Sequence, residues 1–226
     1  MNRVLQMLEL QQSLNDATNG LNWEEGTTKN GKTIDWRRCI YLEAAELIES
    51  YPWKHWKNID ASPDYANIKI EIVDIWHFVM SETLRLYKID NLGSIEDIAT
   101  MVGKMPDFEL FSQNEKSPTL DSYEEIALVE EMIKILFCDT DINKLIVSFL
   151  SMSAKLNLKL PELYKLYIGK NILNKFRQEN GYKEGSYIKI WNGKEDNVVM
   201  QSVLEEKENI TPEELYKALE ENYPSK

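Results

Sequence analysis

The stretches WRRCIYLEAAELIES (36–50) and IEIVDIWHF (70–78) decide how this chain is read. The first has a helical apolar pattern from Trp36 to Ser50 and stops before Pro52, because the residue preceding a proline disfavours the helical conformation. The second lies in a helix that begins after Ser62-Pro63, with proline in its first turn and an apolar stripe through Ile68, Ile72, Ile75 and Val79. Together they predict a helical hairpin over 36–87. Each arm carries one acidic pair, Glu43-x-x-Glu46 and Glu71-x-x-Asp74, and a spacing of three puts both members of a pair on one helix face.

Outward from the hairpin the chain stays helical. Val4, Met7, Leu8 and Leu14 mark a helix over 3–16 that Asn19-Gly20 ends, and 20–35 reads as a loop or short hairpin. Ser94 caps a short helix inside an ambiguous stretch, 88–121, and the polar run 112–122 reads as loop. Further helices are expected over 123–137, 141–156, 161–178, 196–207 and 212–222, with Asp141, Pro161 and Thr211-Pro212 as start signals. Only Tyr187 to Trp191 alternates like a strand. The fold class is all-α, a helical bundle without a substantial sheet, expected as one domain over 1–226 that can hold two lobes.

Composition narrows the function. A net charge of -12 argues against general affinity for nucleic acid. The charge is unevenly spread: Lys165, Lys170, Lys175, Arg177, Lys183, Lys189 and Lys194 face only Glu179 and Glu184, so the segment is basic and the rest more acidic still. No run approaches the roughly 20 apolar residues that span a bilayer, and the start MNRVLQMLELQQ lacks a signal-peptide pattern, so a cytoplasmic protein is expected. Cys39 and Cys138 are far apart, outside any metal-ligand spacing, and read as buried reduced thiols. There is no Gly-rich P-loop, Cys/His zinc site or nucleophile elbow.

If the two helices lie antiparallel, the four carboxylates converge as a site for a hard divalent cation, Mg2+, and hence suggest phosphate chemistry. Acidic residues at that spacing are also common on solvated helix faces. Their apolar surroundings, Ala44, Ala45, Leu47 and Ile48 on one arm and Ile70, Ile72, Val73 and Ile75 on the other, favour partial burial, where anions need compensation. On the helix over 161–178, Lys170, Asn174 and Arg177 share a face, with Arg177 suited to forked contacts on phosphate oxygens and Lys170 to a point-charge contact. The turn Gly181-Tyr182-Lys183-Glu184-Gly185 can fold over a ligand. Gln12 and Asn15 present two amides from one helix face; an amide's adjacent donor and acceptor can pair with the N3–H and carbonyl oxygens of uracil, although helix-surface amides usually do nothing so specific. Trp53, Trp56, Trp76 and Phe78 can stack on a base or fill the core, and His77 can contact substrate or be structural.

The series LQQSLN (10–15), WRRCIYLEAAELIES (36–50), WKHWKNI (53–59), IEIVDIWHF (70–78), YIGKNILNKFRQENGYKEGSY (167–187) and WNGKEDN (191–197) resembles the dimeric dUTPases, of the Campylobacter type in particular. These are grouped with the MazG-like enzymes among the all-α nucleoside triphosphate pyrophosphatases. The blocks run in order along nearly the whole chain, and 88–160 adds little.

The resemblance implies Mg2+-dependent hydrolysis of dUTP to dUMP and pyrophosphate, with dUDP also accepted, removing dUTP and supplying dUMP for thymidylate synthesis. It implies Glu43, Glu46, Glu71 and Asp74 as metal ligands, with Glu46 also orienting or deprotonating the attacking water. Gln12, Asn15 and Asn197 would read the uracil, and Lys170, Asn174, Arg177, Tyr182 and Lys183 would hold the phosphates, alongside Lys54, Trp56 and His77. It also implies a homodimer with active sites near the interface. Two other readings stand beside it: a broader dCTP/dUTP or MazG-like pyrophosphatase, and a non-catalytic helical adaptor.

Overall fold

The structure is a computed structural model that describes residues 2–57, 61–207 and 210–224. Among these, ten α-helices account for nearly all regular structure: α1 (Arg3–Asn19), α2 (Trp36–Glu49), α3 (Tyr65–Ile89), α4 (Ile95–Val102), α5 (Phe108–Ser112), α6 (Ser122–Cys138), α7 (Ile142–Lys155), α8 (Leu160–Glu179), α9 (Asp196–Glu206) and α10 (Pro212–Asn222). The fold class is all-α, as the sequence predicts. Contacts divide the chain into two compact units, Met1–Leu163 and Tyr164–Lys226.

Side-chain caps start most helices. Asn2, Asp35, Asp64 and Asp141 each accept from a backbone N–H of the first turn of α1, α2, α3 and α7. Ser94, Asp121 and Thr211 form reciprocal capping boxes with Asp97, Glu124 and Glu214. Asp64, not Pro63, opens α3, so the proline stands one residue before the cap rather than in the first turn.

In the first unit, α3 is the central element. It is buried nearly all round from Ile68 to Leu84, and its most extensive contact is with α2, which forms the expected hairpin. The hairpin is closed at its loop by Asp64 N donating to Ser50 O at 2.9 Å and Asn67 Nδ2 to Ser50 Oγ at 2.9 Å. Helix α1 packs on α3 and α4, while α6 packs on α2 and α7. Ile68, Ile72, Ile75 and Val79 are buried as the apolar stripe predicts. Cutting any of the isoleucines to Ala would cost about 2–5 kcal/mol.

Arg37 links three helices. Its Nη1 donates to Leu136 O at 2.5 Å and Asp139 O at 2.8 Å, satisfying carbonyls at the end of α6, and its Nε reaches the buried Glu82 of α3 at 3.4 Å. Glu82 also takes a forked contact from Arg85 at 2.8 and 3.1 Å. Two expectations need correction here. Residues 108–112 form a short helix that the ambiguous stretch did not reveal, and Cys138, the last residue of α6, is exposed rather than buried; Cys39 is half-buried.

In the second unit, α8 carries the basic face, and α9 and α10 pack on each other. Gly169 allows close approach, since a Cβ there would meet Met200 Sδ at 2.6 Å and Leu204 Cδ1 at 2.7 Å. The strand-like alternation resolves into a two-residue pair, β1 (Ile190–Trp191) against β2 (Lys194–Glu195). Asn192 and Gly193 between them both have positive φ, 50° and 83°, as a tight hairpin turn requires. Phe176 sits among Tyr187, Trp191, Tyr216 and Tyr223, an aromatic core of its own.

Candidate active site

The hairpin brings acids together. Glu43 and Glu46, one turn apart on α2, and Glu71 on the facing α3 place ligand oxygens within 4.8 Å of one another. Glu71 is buried, Glu43 half-buried and Glu46 exposed, so the group runs from the α2–α3 contact out to solvent. Asp74, one turn beyond Glu71, is half-buried and lies outside this converging group. All donors are carboxylate oxygens, with no nitrogen or sulfur, which suits a hard divalent cation and not zinc or copper. The field of the cluster is felt one turn earlier on α2: burial pushes the Cys39 thiol up to about 11, with Glu43 and Asp35 adding to the rise.

The amides of α1 do not fall as expected. Asn15 is buried, and it meets Gln11 rather than Gln12: Gln11 Nε2 donates to Asn15 Oδ1 at 3.1 Å, and both amides donate to Ser81 Oγ at 3.0 Å. His77 Nδ1 lies 2.6 Å from Gln11 Oε1, joining α3 to this buried network. An i,i+4 pair aligns more closely on a helix face than the i,i+3 pair Gln12 and Asn15. Gln12 is half-buried and donates to Asp16 and Glu24. The tryptophans divide: Trp76 stacks on Phe149 in the core, and Trp56 is 64% exposed, edge-on to Trp53 at 5.8 Å. Lys54 pairs with Glu49. The motif WKHWKNI ends on Asn58 and Ile59, which lie outside the described residues.

In the second unit the basic residues are organised by an acid. Asp196, at the start of α9, is fully buried and takes a forked contact from Arg177, Nε to Oδ2 and Nη2 to Oδ1, both 2.8 Å. Tyr187 Oη and the Asn197 backbone N–H also donate to it, at 2.8 and 2.9 Å. Burial pushes this carboxyl up, but the Arg177 fork and the other donors outweigh burial and hold it below its ordinary value of 3.8. Lys170, only 2% exposed, donates to Asn197 Oδ1 at 3.0 Å, and Arg177 reaches the same oxygen at 3.3 Å and Asn174 Oδ1 at 3.1 Å. Lys170, Asn174, Arg177 and Asn197 are therefore brought together. Tyr182 and Lys183 are exposed on the following turn, the Tyr182 ring 5.7 Å from the Arg177 guanidinium.

Three residues of these networks escape a reading by spacing: Gln11, Glu24 and Asp196. Gln11 is signalled by its i,i+4 relation to Asn15, and Asp196 only by standing beside Asn197 in WNGKEDN. Glu24, in a 3-10 turn, carries no signal of its own. Among the described residues no helix is long and apolar enough to cross a membrane.

Comparison with known proteins bears on the same stretches. No curated protein matches the chain. A family model described as dUTPase matches residues 3–182, which takes in α1, the acidic hairpin and the whole of α8. The chain belongs to the dUTPase family, as an all-α hydrolase of dUTP.

Proposed function

We propose that the protein is a Mg2+-dependent dUTP diphosphatase that releases pyrophosphate and dUMP, and that it also converts dUDP to dUMP. The observation that carries the metal is the convergence of Glu43, Glu46 and Glu71. Asp74, one turn from Glu71 on the same helix and outside that converging group, is the fourth proposed ligand and would help to hold the cation. Bound there, a divalent cation supplies Lewis-acid charge to the triphosphate oxygens. Glu46 is the exposed member of the group, which supports its reading as the carboxylate that accepts a proton from the attacking water. The attacking oxygen bonds to phosphorus, the P–O bond to the departing group breaks, and the electron pair leaves with that group.

Lys170, Asn174, Arg177, Tyr182 and Lys183 are proposed to hold the phosphates. Arg177 has its Nε–Nη2 edge engaged by Asp196, so within this reading it acts as a fixed positive charge more than as a free fork. Lys54, Trp56 and His77 are proposed contacts from the hairpin, and Gln12, Asn15 and Asn197 read the uracil. The expected homodimer belongs to the same reading. Tyr41 and Phe137, exposed and in ring contact at 5.4 Å, are apolar surface that a second copy would cover, and light scattering should give twice the chain mass.

The test is pyrophosphate release from dUTP. Glu46→Ala should lower kcat about a thousandfold or more, at the scale expected when a proton acceptor that also holds the metal is lost. Retention of full activity would remove Glu46 from the mechanism. Rates on dUTP, dCTP, dTTP and UTP should favour dUTP, and comparable rates on all four would favour a broader MazG-like enzyme.

A further inference from the structure

Gln12 holds its side-chain amide between two carboxylates. Its Nε2 donates to Asp16 Oδ1 at 3.0 Å and to Glu24 Oε1 at 3.1 Å. Carboxylate oxygens only accept, so the edge of the amide that faces them is its NH2, and both N–H bonds are taken up. What remains for a ligand is Oε1, an acceptor. An unrestrained glutamine can turn over and offer either edge. Here the reversed amide would set its carbonyl oxygen against two carboxylates.

The clamp is itself fixed. Glu24 is only 7% exposed and sits in a 3-10 turn (Trp23–Glu25) closed by Gly26 N donating to Trp23 O at 3.0 Å, with Gly26 in the left-handed conformation. The fully buried Trp23 donates its Nε1 to the same Asp16 Oδ1 at 3.0 Å. A pairing between the turn and α1 therefore sets the polarity of Gln12, and nothing in the metal or phosphate chemistry asks for it.

We infer that Asp16 and Glu24 are positioning residues that select uracil over cytosine by holding Gln12 as an acceptor only. This rests on the reading above that Gln12 faces the base. Uracil carries a hydrogen on N3 and would donate it to Oε1. Cytosine presents a bare N3 lone pair, which meets another acceptor and is rejected. The second unit shows the opposite polarity by the same device: Asn197 Oδ1 accepts from both Lys170 and Arg177, which turns its NH2 to face away from them, as a donor suited to a carbonyl oxygen. At N3 and C4 cytosine, with a bare N3 and a 4-amino group, reverses the donor and acceptor order that uracil presents.

The experiment compares kcat/KM for dUTP and dCTP in the wild-type full chain, Gln12→Ala, Glu24→Gln and Asp16→Asn. Glu24→Gln keeps the shape of the turn but gives residue 24 an NH2 that can donate to a reversed Gln12. Its dUTP to dCTP ratio should fall at least about tenfold, mainly through faster turnover of dCTP, and Asp16→Asn should move the ratio the same way. Equal losses on both substrates, or an unchanged ratio in both variants, would show a structural role only and overturn the inference. Should Glu24→Gln fail to fold, Asp16→Asn alone carries the comparison. Gln12→Ala separates the two levels. A ratio that falls in Gln12→Ala but in neither clamp variant overturns the polarity argument alone, and a ratio unmoved in Gln12→Ala overturns the placement of Gln12 at the base and the inference with it.

Discussion

The acidic group on α2 and α3 and the ion-pair network on α8 and α9 handle charge in opposite ways. Glu43, Glu46 and Glu71 bring like charges within 4.8 Å, where each pair repels by about 1 kcal/mol in water and about 3–4 kcal/mol at an effective dielectric near 20. The Asp196 charge meets its complement, with Arg177 forked onto the carboxylate and Tyr187 and a backbone N–H filling the rest. The network is nearly complete as folded. The acidic group is the kind of arrangement that a cation relieves, so the first region is read as built for a ligand and the second as built to hold its donors still.

Mutation should separate the two by which observable moves. The largest effect belongs to the acids: Glu46→Gln should remove at least about three orders of magnitude from dUTP hydrolysis while thermal melting in chelator stays level or rises, because one repelling charge is gone. A marked fall in melting temperature would mean that Glu46 is structural. Next comes Asp196→Ala, which leaves the Arg177 guanidinium without its buried partner and should cost about 3–5 kcal/mol in denaturant unfolding. A loss below 1 kcal/mol would show the pair to be replaceable by water.

The pH dependence of that pair has a definite sign. The folded carboxyl of Asp196 lies below its ordinary 3.8, so its contribution is fully present above that pH and is lost as pH falls through the lower folded value. The wild type should therefore lose stability below about pH 4 more steeply than Asp196→Asn, as followed by acid denaturation. The smallest effect is Tyr187→Phe, which deletes one donor to a charged acceptor and should cost about 1.5 kcal/mol with hydrolysis of dUTP little changed. A large change in kcat from that substitution would draw the network into the chemistry.

The hairpin was legible in the sequence because its signals are local. Pro52, Ser62-Pro63 and a continuous apolar stripe mark two helices, and E-x-x-E and E-x-x-D spacings then fix which side chains share a face. Three of the four acids converge as that spacing implies. What escaped depends on partners distant in sequence or on which way a helix faces. Gln11 and Gln12 are adjacent, and only packing against Ser81 and His77 decides that Gln11 turns inward. Helix α5 has five residues, opens on Asp107 in the left-handed conformation without a side-chain cap, and so carries neither periodicity nor a start signal. Asp196 reads as one more surface acid until α8 delivers Arg177 to it.

The account stands on the acidic group acting as the metal site of dUTP hydrolysis. Pyrophosphate release from dUTP, followed in excess chelator and then with Mg2+ restored, tests this most directly. Activity should vanish with chelator and return with Mg2+ in the wild type, and Mg2+ should fail to restore it in Glu46→Gln. Undiminished hydrolysis of dUTP in excess chelator would contradict the account.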